Sequence, residues 1–244
     1  MLPAQPNQGL IDGLACLQAL ASEGRPVGVR ELARRLGLTP TRVNRLLGTL
    51  AHLELARRTP ERKYEVGPAI HVLSVQSLFG SGLIRRALGP LESLHGEGLS
   101  VALGVLWRDQ VSYLYHAEPG MSPAQGIGRA GLFPATHSSI GMVLLAQQEE
   151  AAVVSLYAGQ SIPGYPEGLD ALLHDLRQIR AQGWACVAPN PPSEVNSAAV
   201  PIGNLPYAGI ALAGCFGSDR LPQLLEALSS AAQQIEAVDE RKHS

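Results

Sequence analysis

Four polar side chains near the start of one helical pattern are the residues best suited to chemistry. They are Thr41, Arg42, Asn44 and Arg45, and they face away from the apolar stripe that begins at Val43. Arginine and asparagine form paired hydrogen bonds with base edges in the major groove, and arginine also binds phosphates, which position a protein without specifying sequence. The pattern predicts contacts with double-stranded DNA, with Arg42 and Asn44 reading bases and Arg45 on a phosphate.

A helix-turn-helix is the element that would position these residues. The second helix is predicted from about Arg30 to Leu36, with Arg30 itself among the DNA contacts, and Gly37 tolerates the left-handed backbone of the turn that follows. Thr39 is then the N-cap of the third helix, and Pro40 suits its first position because the amide hydrogen is not needed there. The early turns of the third helix would enter the major groove.

A basic hairpin follows the third helix. Residues 56–66 read as two short strands around a turn that contains proline, which is the wing of a winged helix-turn-helix. Its cationic side chains, which can flank phosphates or reach a minor groove, are Arg57, Arg58, Arg62 and Lys63. The alternative is a charged edge hairpin that only resists aggregation.

The charge distribution supports DNA binding. Residues 25–63 contain ten Lys and Arg against three Asp and Glu, whereas the rest of the chain contains nine against eighteen, so the formal net charge of −2 hides a basic head on an acidic body. Clustered cations gain affinity for DNA by releasing condensed counterions.

Length and composition predict a globular protein of two domains. The chain has 244 residues and is 45% hydrophobic, its start lacks the pattern of a secretory signal, and no apolar run is long enough to cross a bilayer. Three scattered cysteines form no CxxC pair and fit a reducing compartment. We therefore expect a cytoplasmic protein with no membrane partner.

Three motifs carry a resemblance to a known family. They are VNRLLGTL at residues 43–50, PATHSSIGM at residues 134–142 and IRAQGW at residues 179–184. In this order and spacing the chain resembles the IclR family of bacterial transcription regulators over nearly its whole length.

The resemblance implies an α/β (α+β) fold of two domains. These would be a winged helix-turn-helix domain over residues 1–68, a helical linker over 69–95, and a GAF-like effector-binding and oligomerisation domain over 96–244. It also implies a homodimer or a dimer of dimers. Apolar periodicity and turn residues agree, because they predict strands at 99–107, 111–116, 197–202 and 208–215, and helices at 138–148, 169–182 and 222–240.

The resemblance also implies where a small-molecule effector would bind. Relatives hold small acids with an Asp, a Cys and two Ser, and these positions align here with Val187, Ser197, Ala211 and Ala213. Three of the four polar groups are thus replaced by apolar ones. Each unpaired buried ligand group would cost about 1 to 3 kcal/mol, so we expect a larger, more apolar or aromatic effector, or none.

A helix start supplies the other predicted effector contacts. Ser138, Ser139, Ile140 and Gly141 open a predicted helix, whose free amides could hold the anionic end of a ligand, although capping the helix is the ordinary role of such residues.

Two other hypotheses remain open. In one, the C-terminal domain binds no effector and only assembles subunits; in the other, it is an enzyme on a nucleic-acid tether. We predict no enzyme, cofactor or metal. Ser138 and Ser139 lie beside His137 but outside a GxSxG motif, and His116 and His137 lack metal-ligand spacing. The GxGxxG pattern of Gly126, Gly128 and Gly131 lacks the strand and helix of a dinucleotide site, and we predict a flexible loop there.

Overall fold

The computed structural model describes residues 5–127, 131–188, 195–203 and 205–237, and the chain divides into two compact units, Met1–Ser81 and Gly82–Ser244. The predicted linker at 69–95 spans both units, because its first helix belongs to the first unit and its second helix to the second.

The first unit is a winged helix-turn-helix. Its elements are α1 (Gln8–Glu23), α2 (Val29–Leu36), α3 (Pro40–His52), β1 (Ala56–Arg58), β2 (Tyr64–Val66) and α4 (Ala69–Ser81). Strands β1 and β2 pair antiparallel, and Val27 adds a bridge to Tyr64 beside them. The fold class and the helix-turn-helix predicted from the sequence are confirmed.

Local signals explain where these helices begin and end. Gly37 takes φ 65° after α2, a left-handed conformation that glycine adopts without steric cost, and its N–H bonds the carbonyl of Ala33. The Thr39 hydroxyl then accepts a hydrogen bond from the amide of Arg42 and caps α3. Apolar side chains spaced along the helices, including Cys16, Leu32, Val43 and Leu47, fill the core of this unit.

The second unit is built on one antiparallel sheet of six strands in the order β5-β4-β3-β8-β7-β6. The strands are β3 (Ser100–Trp107), β4 (Gln110–Ala117), β5 (Leu132–Pro134), β6 (Ala185–Val187), β7 (Val195–Ile202) and β8 (Leu205–Cys215). The helices are α5 (Leu83–Leu94), α6 (Pro123–Gly126), α7 (Ser139–Gln147), α8 (Glu150–Tyr157), α9 (Leu169–Gln182) and α10 (Leu221–Ala237).

Successive side chains of a strand point to opposite faces of the sheet, so the sheet has a core on each face. Helices α5 and α10 cover one face, with Leu91, Leu103 and Ile210 in that core. Helices α7, α8 and α9 cover the other, where Ile140 and Leu172 pack with four alanines. Those alanines, which occupy neighbouring strands in register, are Ala102, Ala211, Ala199 and Ala185. Their small side chains allow α7 to lie close to the sheet.

The elements of this unit that the sequence did not predict are α6, α8, β5 and β6. The GxGxxG segment is not a loop throughout, because Gly126 ends the one-turn helix α6 and packs against Tyr115; a Cβ there would lie 2.9 Å from the Tyr115 ring. Gly128 lies outside the described residues, as do the last three residues of the helix predicted over 222–240.

Candidate nucleic-acid interface and effector site

The polar face of α3 is the candidate recognition surface. Val43, Leu47 and Leu50 are buried, and this fixes the orientation of the helix. Thr41, Asn44 and Arg45 are exposed on the opposite side, as a recognition helix requires.

Arg42 differs from its neighbours because it is held by a residue of α1. Its Nε lies 2.5 Å from Oδ2 of Asp12, and the Arg42 side chain is 36% exposed while that of Asp12 is 7% exposed. The other carboxylate oxygen of Asp12 accepts a hydrogen bond from Nε2 of Gln8 at 2.7 Å. The contact of Asp12 with Arg42 was not predicted, because in the sequence Asp12 resembles any polar residue of an amphipathic helix.

Part of the basic charge is neutralised inside the first unit. Arg25 and Arg35 both form ion pairs with Glu23 and Glu31, which lie at the end of α1 and the start of α2. The pKa of Glu31 is lowered chiefly by its hydrogen bond with Arg25. Arg30, on the same helix as Glu31, is exposed.

The wing presents its cations on a tight hairpin. The amide of Arg62 donates a hydrogen bond to the carbonyl of Thr59, which closes a four-residue turn. Arg62 itself has a left-handed backbone, with φ 61°. Arg58 lies over the ring of Tyr64, 6.0 Å from its centroid. Arg57 pairs with Glu65 across the strands, Nε to Oε1 at 2.6 Å, although its side chain is 70% exposed. Lys63, next to Arg62, is exposed.

The second unit brings three of the predicted effector residues into one line across the sheet. Ser100, Ala213, Ser197 and Val187 are successive cross-strand partners on β3, β8, β7 and β6. All four are partly buried, and they share the face of the alanine row. Ser100 was not predicted, because only strand register places it beside Ala213.

The start of α7 lies over this line. Oγ of Ser139 is 2.7 Å from Oγ of Ser197, and Oγ of Ser138 is 3.0 Å from the hydroxyl of Tyr113. Ser138 also accepts a hydrogen bond from the amide of Gly141 and so caps the helix. The hydroxyl groups that we expected to contact a ligand are thus hydrogen-bonded within the protein, Ser139 to Ser197 and Ser138 to Tyr113. Tyr113 was not predicted as part of this site.

Three other predicted effector residues lie inside the core. Ile140 is 0% exposed and Ala211 is 3% exposed. Gly141 packs against the chain before α7, since a Cβ there would lie 2.1 Å from the carbonyl oxygen of Ala135. These residues set the distance between α7 and the sheet and border no open space.

A cleft of about 930 Å³ lies beside this site, along α9. It shares only Val187 with the predicted effector residues. Its apolar lining includes Met142, Ile179 and Trp184, and its acidic groups are Glu167 and Asp175. Among the described residues that line it there is no Lys or Arg. The Tyr165 hydroxyl donates to Asp175 at 2.9 Å, and burial is the main reason that the pKa of Tyr165 is raised.

Within the described ranges, no group of three or more His, Cys, Asp or Glu side chains is arranged to hold a metal ion. No helix there is long and apolar enough to cross a membrane.

Comparisons with known proteins match both units. Residues 13–60 match the IclR helix-turn-helix domain, and residues 75–237 match the bacterial transcriptional regulator IclR C-terminal domain. The chain is 28% identical over 256 residues to the HTH-type transcriptional regulator KdgR of Escherichia coli, covering 97% of this chain and 95% of that one.

Solved structures share the fold. An IclR family regulator from Brucella abortus superposes with a TM-score of 0.78 at 21% identity, covering 98% of this chain and 96% of the other. An IclR homologue from Microbacterium hydrocarbonoxydans, solved with 4-hydroxybenzoate, superposes with a TM-score of 0.66 at 19% identity, covering 94% and 98%. The chain belongs to the IclR family of transcriptional regulators, with a DNA-binding helix-turn-helix domain and a C-terminal effector-binding domain.

Proposed function

We propose that the chain is a homodimeric or tetrameric repressor that leaves its operator when an apolar or aromatic effector binds the C-terminal domain. We choose repression over activation because a protein that occupies a promoter blocks RNA polymerase without any further contact. The proposed place of action is the bacterial cytoplasm. The observation that carries the effector class is the line across the sheet, which brings Val187 and Ala213 beside Ser197. The resemblance implies polar groups at the positions of Val187 and Ala213, and both are apolar here.

On the DNA side, we assign base contacts to Arg42 and Asn44. Phosphate contacts are assigned to three residues on α2 and α3, which are Arg30, Thr41 and Arg45. The four cations of the wing would contact the neighbouring DNA backbone or minor groove. They are Arg57, Arg58, Arg62 and Lys63. The exposure of this polar face of α3 and of the wing supports the assignment.

On the effector side, we retain Val187, Ser197 and Ala213 as contacts and assign Ser138 and Ser139 to hydrogen bonds with the polar end of the ligand. Ile140, Gly141 and Ala211 are left out, because they are buried and, unlike Ser138 and Ser139, have no side-chain hydroxyl to offer a ligand. The neighbouring cleft, which has apolar walls and two carboxylates but no lining cation in the described part of the chain, suits a neutral aromatic compound better than a small acid. The relative that was solved with 4-hydroxybenzoate supports an aromatic ring, although that compound is an anion.

An assembly-only role for the C-terminal domain is the second candidate. The hydrogen bond between Ser139 and Ser197 and the burial of Ile140 favour it, since a ligand would have to break the first or displace the second.

The test compares binding of two groups of compounds by calorimetry. Phenol, benzoate and 4-hydroxybenzoate form the aromatic group, and acetate and lactate form the small-acid group. The proposal expects an aromatic compound to bind and to release the protein from a duplex selected from a random pool. It also expects Val187→Asp to weaken that binding because a carboxylate would enter an apolar wall. Binding of neither group, with native masses that carry no small molecule, would favour the assembly-only role.

A further inference from the structure

Asp12 is the only charged side chain in the core of the part that the structure describes. It lies on α1, is 5% exposed as a residue, and belongs to neither the recognition helix nor the wing. A carboxylate withdrawn from water is retained only where a cation or hydrogen-bond donors compensate for the lost hydration. Its burial therefore needs an explanation in terms of its partners.

Its partners point to the DNA-binding surface. Gln8 donates a hydrogen bond to Oδ1, and Arg42 approaches Oδ2 with Nε at 2.5 Å. This approach is an ion pair and not an aligned hydrogen bond, since Oδ2 has no hydrogen-bond donor among the described residues. The attraction still fixes the inner end of a guanidinium whose side chain is 36% exposed.

The position of the ion pair on the guanidinium has a chemical consequence. An arginine carries five N–H donors in a planar fork, and the contact with Asp12 is made at Nε. Because the ion pair is on the Nε side, the two terminal Nη groups stay available as donors to a ligand. Two parallel N–H groups match O6 and N7 of guanine, which is the commonest specific contact of arginine in the major groove.

We infer that Asp12 is a positioning residue of DNA recognition, which holds Arg42 so that its terminal Nη groups meet a guanine. This inference rests on the proposed base-reading role of Arg42. Holding the side chain before DNA arrives reduces the rotamer freedom that binding would otherwise remove. The carboxylate also repels nearby phosphates, so an Arg42 that is held by Asp12 gains in selectivity and little in nonspecific affinity.

The simpler role is structural, in which the pair only joins α1 to α3. The two roles differ in what the loss of the charge does. A structural role predicts a less stable domain and equal losses on every DNA sequence. A positioning role predicts a loss that is confined to the cognate site and to one base pair within each half-site.

The experiment uses the full-length chain and a pool of randomised duplexes. Wild type, Asp12→Asn, Arg42→Ala and the double variant each select sites from the pool, and affinities are then measured for the wild-type site and for a random duplex. Glu23→Gln is the matched control, because Glu23 is also an α1 acid paired with arginines, but its partners Arg25 and Arg35 lie outside α3. Gln8→Ala is a milder variant that keeps the Asp12 charge, in case Asp12→Asn does not fold; circular dichroism checks folding.

We expect Asp12→Asn to weaken the selected site about tenfold, to leave random DNA nearly unchanged, and to lose preference at the same guanine as Arg42→Ala. It should have no effect once Arg42 is alanine, and Gln8→Ala should act in the same direction more weakly. Glu23→Gln frees Arg25 and Arg35, so it should strengthen selected and random DNA alike and keep the wild-type guanine preference. Equal losses on selected and random DNA, or an Asp12→Asn effect that persists without Arg42, would overturn the inference.

Failure of the proposed function looks different. If Arg42→Ala keeps the guanine preference, Arg42 does not read that base and the inference falls with its premise. If Arg42→Ala loses the preference and Asp12→Asn and Gln8→Ala keep it, the reading role stands and only the positioning role of Asp12 is rejected.

Discussion

Arg57, a proposed phosphate contact of the wing, already has a partner within the protein. It is paired with Glu65 at 2.6 Å, so a phosphate must compete with a carboxylate for the same guanidinium. We expect Arg57→Ala to weaken selected and random duplexes alike and to lower the salt dependence of binding by about one ion. Glu65→Gln should strengthen both. Titrations at two salt concentrations measure these effects, and a loss for Arg57→Ala that is confined to the selected site would contradict the phosphate role.

The three cysteines should differ sharply in reactivity. Cys16 is 0% exposed, and burial, helped by the charge of Asp12, raises its pKa to about 11. Cys186 and Cys215 are exposed. Because the thiolate is the reactive form, iodoacetamide at pH 8 should modify Cys215 first in the native protein and Cys186 more slowly, since burial also raises the pKa of Cys186. It should leave Cys16 intact until denaturant is added. Mass spectrometry of the digested protein measures this order, and early modification of Cys16 would show that the α1 core opens readily.

At the residue scale, the sequence predicts which side chains of α3 are exposed but not what holds Arg42. Thr41, Asn44 and Arg45 follow from the apolar stripe of α3, which determines which side faces water. Asp12 does not follow, because its burial depends on how α1 packs on α3, 30 residues away along the chain from Arg42. The contact between Ser139 and Ser197 likewise spans 58 residues and depends on how α7 packs on β7.

The turn between α2 and α3 is the element on which the DNA-binding surface most depends. Gly37 takes φ 65°, and a Cβ there would meet nothing within 4 Å, so the only cost of a side chain is backbone strain. We expect Gly37→Ala to destabilise the domain by about 1 to 2 kcal/mol. Gly48→Ala is the control, since its Cβ would also meet nothing but its backbone is helical, and it should stabilise by up to about 1 kcal/mol. Urea unfolding measures both, and equal effects would contradict the strain argument.

Helices and strands were predictable from the sequence where the spacing of apolar residues and the residues that end an element, such as glycine, agreed. Helix α9 (Leu169–Gln182) matches its prediction because buried leucines recur at helical spacing and Gly183 ends it at φ 81°. Strands β5 and β6 have three residues each, too few to show alternation, and β6 exists because Ala185 to Val187 pair with β7. Helix α8 (Glu150–Tyr157) is apolar on most sides, so it lacks the amphipathic pattern that marks a surface helix.

At the scale of the whole molecule, the opposite charges of the two halves affect where DNA can bind. The net basic charge lies in residues 25–63 of the first unit, and the remainder of the chain is acidic. An acidic body repels the duplex and confines it to the helix-turn-helix and the wing. Nonspecific binding by the second unit is thereby suppressed, which leaves that unit available for effector binding and assembly.

The apolar surface of α4 is the strongest reason to expect a dimer. None of its residues is buried, and Val72, Val75 and Phe79 line one side of the helix at 54%, 52% and 82% exposure. A second copy of α4 would cover this side and give an assembly that presents two recognition helices. Two linked DNA-binding heads bind a repeated site more tightly than one head by about 100-fold or more.

We therefore expect Val75→Glu, which places a charge on that side, to convert the dimer to monomers in sedimentation equilibrium. Its affinity for a full selected operator should fall about 100-fold, whereas its affinity for one half-site should be unchanged, because the recognition helix is intact. Ser74→Glu is the matched control: it adds the same charge on the other side of α4 and should leave both assembly and operator affinity as in wild type. A Val75→Glu protein that stays dimeric would show that subunits meet elsewhere, and equal losses on the full and half operators would show that the head itself was damaged.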